Sequence, residues 1–138
     1  MSNTDSPKNR LQIPVKTLKM TRPLIDAFGD LTDDHNPLHF DDDMARARGY
    51  PAAIAHGAIA ASLLFAMMTD WLGDWPLPQD EIDLTFIAPV FTGDWVTAGG
   101  EVEFEEDEVW QCSLWCKTED GKLLIVGKAQ VHRGRDRS

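Results

Sequence analysis

A run of apolar residues near the middle of the chain restricts the fold more than any other feature of the sequence. Residues 57–69 carry no charged side chain, and their apolar positions occur on all sides of a helical wheel. A helix of this kind is buried inside a protein or a membrane. It would span about 20 Å, short of the roughly 30 Å of a bilayer core. We therefore predict a central helix enclosed by protein, and no membrane partner.

Most of the remaining sequence has the pattern of short strands. Leu11, Ile13 and Val15 alternate with other residues, which predicts a strand, and Pro14 favours a place at a sheet edge. Four further runs of strand-like composition lie at about residues 82–87, 95–104, 109–118 and 122–131. Because short connections favour antiparallel pairing, the sequence predicts an α+β fold, with about five antiparallel strands packed on one long helix.

A shorter helix is predicted before the central one. Thr21 is a suitable N-cap, Pro23 suits the first helical turn, and the helix should end near Asp33. Its predicted apolar side consists of Leu24, Ile25, Phe28 and Leu31. A polar loop at residues 33–39 then leads toward the central helix.

The length of the chain, 138 residues, suits a single domain. We place this domain at residues 11–132, between a polar, mobile segment at residues 1–10 and a basic tail at residues 133–138. The opening residues lack the apolar stretch of a secretory signal. Cys112 and Cys116 would lie about 13 Å apart along one strand, beyond the reach of a disulfide. We therefore expect a cytoplasmic location.

The charge of the chain argues against a nucleic-acid partner. Its formal net charge is -10 and its isoelectric point is about 4.6. Such a surface repels phosphate groups, and no cluster of basic and aromatic residues occurs in the predicted domain.

The loop at residues 33–39 is the part of the sequence best suited to chemistry. It contains Asp34 and His39, and Pro37 between them disfavours a helical conformation. A carboxylate and an imidazole that converge on one water or substrate carbon supply a general base and a general acid. The same residues would also fit a structural role, with Asp34 in a helix-ending turn and His39 half buried.

Three stretches of the sequence resemble the MaoC-like family. Residues 28–39, FGDLTDDHNPLH, resemble the signature of its (R)-specific enoyl-CoA hydratases, D-x-N-P-aliphatic-H. Ala55, His56 and Gly57 resemble the family's step into its central helix. Residues 86–94, FIAPVFTGD, resemble its strand and turn F-x-x-P-V-F-x-G-D. Asp33 departs from the family, which often has glycine there, and its side chain should point away from that of Asp34.

The resemblance implies a hot-dog fold, in which the sheet wraps around the long central helix. It also implies that Asp34 activates water as a base and that His39 orients the water or supplies a proton. Gly57 would offer its backbone N–H to the thioester carbonyl. Asn36 would hold the loop, and His56 would shape the entry to the helix.

The activity implied by the resemblance is a hydratase or dehydratase activity on acyl thioesters. Water would add to a trans-2-enoyl thioester to give the (R)-3-hydroxyacyl thioester, and the reverse reaction would be dehydration. The substrate would be bound to CoA or to an acyl carrier protein. The resemblance implies no metal and no cofactor besides the thioester itself, and it implies a homodimer or a multiple of dimers.

Two alternative functions share the same fold. A hot-dog thioesterase generally carries its carboxylate on the central helix, but residues 57–69 contain no acidic side chain. A non-catalytic acyl-CoA-binding subunit is a second alternative. The presence of both Asp34 and His39 argues against it, because a subunit without activity needs no acid/base pair.

A metal-binding module is a third alternative. Its ligands would come from Asp33, Asp34, His35, His39 and the acidic residues 41–43. Pro37 argues against this function, because it prevents the helical face that would bring His35 and His39 to one ion.

Overall fold

The computed structural model describes residues 10–132, which form one antiparallel sheet and three α-helices. The strands are β1 (Leu11–Lys19), β2 (Glu81–Phe86), β3 (Trp95–Glu106), β4 (Val109–Thr118) and β5 (Leu123–His132). The helices are α1 (Arg22–Thr32), α2 (Asp42–Ala47) and α3 (Gly57–Leu72), and a 3-10 turn spans Pro37–His39. The predicted α+β architecture is confirmed. Apart from Arg10, the predicted mobile segment and basic tail lie outside the described residues.

Helix α3 forms the centre of the fold because it is apolar on nearly every side. It packs on strands β1, β3 and β4. Its buried residues are Ile59, Ala60, Leu63, Leu64, Met67 and Met68. The prediction of a central helix packed on the sheet is therefore confirmed. Its enclosure on every side is not, because Ala58, Ser62, Phe65 and Thr69 form a face of α3 that is exposed in the single chain. Among the described residues, no helix has the length and apolar character needed to cross a membrane.

The order of the strands in the sheet is β1-β3-β4-β5-β2. Short turns join β3 to β4 and β4 to β5, as their spacing predicts. Strand β2 instead pairs with β5, at the opposite edge of the sheet from β1. Residues 87–94 connect β2 to β3, and at their two ends the Ile87 N–H donates to Leu124 and the Asp94 carbonyl accepts from Met20.

Strand β1 lies at a sheet edge, as Pro14 predicts, but its alternation is not the predicted one. Ile13 is buried, whereas Leu11 is 49% exposed and Val15 is 61% exposed. The pairing with β3 shifts register between Ile13 and Lys16. Because proline cannot donate to a neighbouring strand, the shift falls around Pro14. It moves the inward face to other residues, and Leu18 packs against the core in place of Val15.

Helix α1 also differs from its predicted apolar side at one position. Ile25 is fully buried, and Leu24 and Phe28 pack against the core. Leu31 is 84% exposed, so its inclusion in the apolar side was wrong. The reason is geometric, since Leu31 lies about 120° around the helix from Ile25.

Candidate functional site

The loop after α1 is folded tightly onto that helix. Asp33 ends α1 in the left-handed conformation, with φ of 55°, and the next N–H, that of Asp34, donates to the Gly29 carbonyl at 2.9 Å. A Cβ atom at Gly29 would lie 3.0 Å from the Asp34 carbonyl oxygen and 3.0 Å from the Phe40 ring. The absence of a side chain at Gly29 therefore allows the loop to approach the helix.

The carboxylate of Asp34 is oriented by the backbone of its own loop. Its Oδ1 atom accepts a hydrogen bond from the Asn36 N–H at 3.3 Å. Asn36 Oδ1 accepts from the Leu38 N–H at 3.0 Å and so caps the 3-10 turn that carries His39. These contacts leave the second oxygen of Asp34, Oδ2, facing the imidazole side chains. The Asp34 side chain is 48% exposed, so water can reach it.

His39 is held by one ring nitrogen and presents the other to Asp34. Its Nδ1 atom lies 2.9 Å from the carbonyl oxygen of Ile54. Since a carbonyl only accepts, Nδ1 carries a hydrogen, and Nε2 is the nitrogen left to exchange a proton. His39 Nε2 lies 3.7 Å from Asp34 Oδ2. This separation exceeds a direct hydrogen bond, so the two groups face each other without being joined.

His56 was predicted to shape the entry to the central helix, and in the structure it also contacts Asp34 and His39. Its ring is 2% exposed and stacks on the His39 ring, with centroids 3.8 Å apart. Its Nε2 atom lies 3.0 Å from the Asp34 carbonyl oxygen and 3.9 Å from Asp34 Oδ2. Phe28 and Phe40 enclose the ring, at centroid distances of 5.1 and 5.8 Å. Asp34, His39 and His56 therefore form one cluster at the amino end of α3.

A cavity of about 300 Å³ adjoins this cluster. Its lining includes Tyr50, Ile54, Gly57, Phe86, Pro89 and Val90. The lining does not include Asp34, Asn36 or His39. Ile54 connects the cavity to the cluster, because it lines the cavity and its carbonyl accepts a hydrogen bond from His39 Nδ1. Gly57 is the first residue of α3. The first N–H groups of a helix have no partner within it and favour negative charge.

Several of the ligands that the metal-binding alternative requires have local partners in the structure. His35 contacts Asp30 at 2.9 Å, and this hydrogen bond raises the pKa of His35 above its ordinary value. Asp41 caps helix α2 by accepting from the Asp43 and Met44 N–H groups. These side chains have local partners, so the full ligand set of the metal-binding alternative is not brought together, although Asp34 and His39 lie close to each other.

A different group of possible metal ligands does converge, although its geometry is poor. Asp34, His39 and His56 each offer one ligand atom within 4.8 Å of the others, within the part of the chain that is described. The two rings are stacked, however, with only 28° between their planes. Because imidazole lone pairs lie in the ring plane, those of stacked rings run side by side and do not meet at one ion. His56 Nε2 is also turned to the Asp34 carbonyl.

Two residues near the cluster have roles that sequence reasoning missed. Arg22, the first residue of α1, has a guanidinium that donates to the His39 carbonyl at 3.1 Å and lies over the Phe40 ring at 4.8 Å. Gly29 has no side chain and so leaves room for the Asp34 loop to pack closely on α1. A lone glycine inside an amphipathic helix was the available signal for Gly29. The sequence offers no comparable signal for Arg22.

The sheet, its central helix and the cluster at the helix's amino end define a hot-dog-fold protein in which a carboxylate and an imidazole face each other. Comparison with known proteins makes this class more specific. Residues 4–116 match the family described as MaoC like domain, and the chain belongs to this family. The resemblance predicted from the three sequence stretches is thereby confirmed.

Named relatives agree with this assignment. An (R)-specific enoyl-CoA hydratase from Aeromonas caviae is 36% identical over 110 residues, which cover 76% of this chain and 80% of that protein. The mitochondrial 3-hydroxyacyl-acyl-carrier-protein dehydratase FERN of Solanum lycopersicum is 29% identical over 137 residues, covering 93% of this chain and 81% of that protein. The solved (R)-hydratase of A. caviae, described as involved in PHA biosynthesis, matches with a TM-score of 0.74 and 27% identity, covering 88% of this chain and 92% of that chain.

Proposed function

We propose that this chain catalyses the reversible hydration of trans-2-enoyl thioesters to (R)-3-hydroxyacyl thioesters. The observation that carries the proposal is the approach of His39 Nε2 to Asp34 Oδ2, 3.7 Å apart at the amino end of α3. The enzyme is a hydro-lyase, in line with the hydratase and dehydratase names of its relatives. Its two directions use the same pair of groups, with their acid and base roles exchanged.

In the hydration direction, Asp34 takes a proton from a water molecule and the water oxygen bonds to C3 of the substrate. The electron pair of the alkene moves toward the thioester oxygen, and C2 then receives a proton from His39. His39 enters this step with a hydrogen on both ring nitrogens and gives up the one on Nε2, because the Nδ1–H is committed to Ile54. Proton transfer from Asp34 to His39 restores the starting state, so one water is added and no proton is gained or lost.

Gly57 stabilises the charge that develops on the thioester oxygen. Its N–H belongs to the first turn of α3, where unpaired N–H groups and the helix dipole favour an anion. Gly57 also lines the cavity, and it directly follows His56, whose ring stacks on His39, so a carbonyl bound by its N–H would lie at the end of α3 nearest the reacting pair. Asn36 contributes indirectly by holding the turn between Asp34 and His39.

The substrate in this proposal is an acyl chain carried by CoA or by an acyl carrier protein, and the working form is a homodimer. Strand β2 is an edge strand, and Phe86 and Ile87 at its end are 55% and 52% exposed while also lining the cavity. A second copy of the chain would cover this edge and close the cavity. Cys112 and Cys116 are both free thiols, so we infer a cytoplasmic location. The reaction needs no metal or further cofactor.

The experiment that tests this function uses the purified full chain and trans-2-enoyl-CoAs of graded acyl length. Hydration is followed by the loss of ultraviolet absorbance of the conjugated alkene, free thiol is titrated in parallel, and the product is analysed on a chiral column. We expect hydration to the (R) product without thiol release. Thiol release without hydration would favour the thioesterase alternative, and binding without either reaction would favour the non-catalytic subunit.

A further inference from the structure

His56 contacts both Asp34 and His39, and we propose that it is a positioning residue for the hydration reaction. The proposal rests on the function proposed above. The His56 Nε2–H donates to the Asp34 carbonyl at 3.0 Å, and the His56 ring stacks on the His39 ring at 3.8 Å. The His56 side chain therefore fixes both the backbone of Asp34 and the plane of the His39 ring.

The surroundings of His56 separate it from the substrate. Its side chain is 2% exposed, and Phe28 and Phe40 pack around it. His56 is not among the residues that line the cavity. The side chain of His56 can therefore act on the reaction only through its contacts with Asp34 and His39.

The hydrogen bonding of His56 is not what stability alone would favour. Because Nε2 carries the proton donated to Asp34, Nδ1 of the neutral ring is left with a lone pair. That buried atom has no hydrogen-bond partner among the described residues. A buried unpaired acceptor is destabilising, and a phenyl ring would fill similar space without it. The contact with Asp34 accounts for a histidine at this position.

His56 also connects the pair to the helix that binds the substrate. It is the N-cap residue of α3, immediately before Gly57. The Asp34 backbone, the His39 ring and the first N–H groups of α3 are therefore held in one arrangement. Reacting groups displaced by about 1 Å can lose about a hundredfold in rate.

Three substitutions separate the two contacts. His56→Phe keeps a ring to stack on His39 and removes the donor to Asp34. His56→Gln keeps a donor of similar reach and removes the ring. His56→Ala removes both. We expect kcat to fall about tenfold in the first two variants and up to about a hundredfold in the third, while KM stays within about twofold.

The matched control is Met68→Ala, which opens space at a fully buried position of α3 far from the cluster. We expect it to lower the melting temperature with kcat per folded molecule unchanged. A second arm places His56→Gln, which removes the ring stacked on His39 and keeps a donor to Asp34, in the His39→Gln background, where an effect that acts through the His39 ring has little left to lose.

The outcomes distinguish this proposal from the one on which it rests. Lower kcat at constant KM, with a reduced effect in the His39→Gln background, supports positioning. Folded His56→Phe and His56→Gln variants with wild-type kcat, or a His56→Gln loss that simply multiplies with that of His39→Gln, would overturn it while leaving the hydratase function intact. A wild-type protein that hydrates no enoyl-CoA would overturn both.

Discussion

His39 Nδ1 lies 2.9 Å from the carbonyl oxygen of Ile54, and this contact decides which ring nitrogen is left to face Asp34. With Nδ1–H committed to Ile54, only Nε2 can exchange a proton, and it faces Asp34 Oδ2. Ile54 also lines the cavity beside Gly57. The same residue therefore orients the imidazole and contributes to the wall of the site.

The first prediction separates the anchoring of His39 from its chemistry. The side-chain amide of His39→Asn can still reach the Ile54 carbonyl, and that of His39→Gln can reach the position of Nε2, but neither amide titrates. We expect each variant to lower kcat by at least about a hundredfold, the scale of a lost general acid or base. Circular dichroism should show an unchanged fold. A His39→Asn variant with more than a tenth of wild-type turnover would contradict the proton-transfer role of His39.

The second prediction concerns Gly29→Ala, where the added methyl group has two opposing effects on stability. Replacing glycine by alanine inside a helix ordinarily stabilises by about 0.5–1 kcal/mol. At Gly29 the new Cβ would lie 3.0 Å from the Asp34 carbonyl oxygen, a backbone atom that cannot rotate away. We expect Gly29→Ala to change the melting temperature little and to lower kcat about tenfold.

The control for Gly29 is Leu31→Ala on the same helix, because Leu31 is 84% exposed and is not part of the cluster. It should keep wild-type kcat. If Gly29→Ala also keeps wild-type kcat, the packing of the loop on α1 does not fix the position of Asp34.

Features that depend on residues close together in the sequence could be predicted, and features that depend on distant residues could not. The pattern of α3 and the strands is local, and the motif from Asp34 to His39 is continuous, so both could be predicted. The stacking of His56 on His39 depends on how the loop packs over Gly29, which no periodicity records. The position of β2 beside β5 is likewise a non-local pairing.

A third prediction concerns the stability of the sheet. The ring of Trp115 lies over Gly99, and a Cβ there would be 2.2 Å from a ring carbon. Gly99→Ala must displace the indole, and overpacking of this kind costs about 1–3 kcal/mol. Urea denaturation should show this loss, while kcat per folded molecule stays at the wild-type value. An unchanged urea midpoint would show that Trp115 has another position available.

The fourth prediction concerns the two cysteines. Burial raises the pKa of the Cys112 and Cys116 thiols to about 12. At pH 8 only about one thiol in ten thousand is then ionised, and the thiolate is the reactive form. We expect a thiol reagent to label neither cysteine in the folded protein at pH 8 and to label both after denaturation. Rapid labelling of the native protein would mean that this part of the sheet opens readily.

The most direct test of the central claim compares Asp34→Asn with Asp33→Asn in the enoyl-CoA hydration assay. Both changes remove one carboxylate from adjacent positions, and asparagine tolerates the left-handed conformation of residue 33. Asp33 is 96% exposed and does not approach His39, so Asp33→Asn should hydrate within about twofold of wild type. Asp34→Asn should be slower by at least about a hundredfold. A folded Asp34→Asn protein that hydrates the substrate as fast as Asp33→Asn would contradict the account.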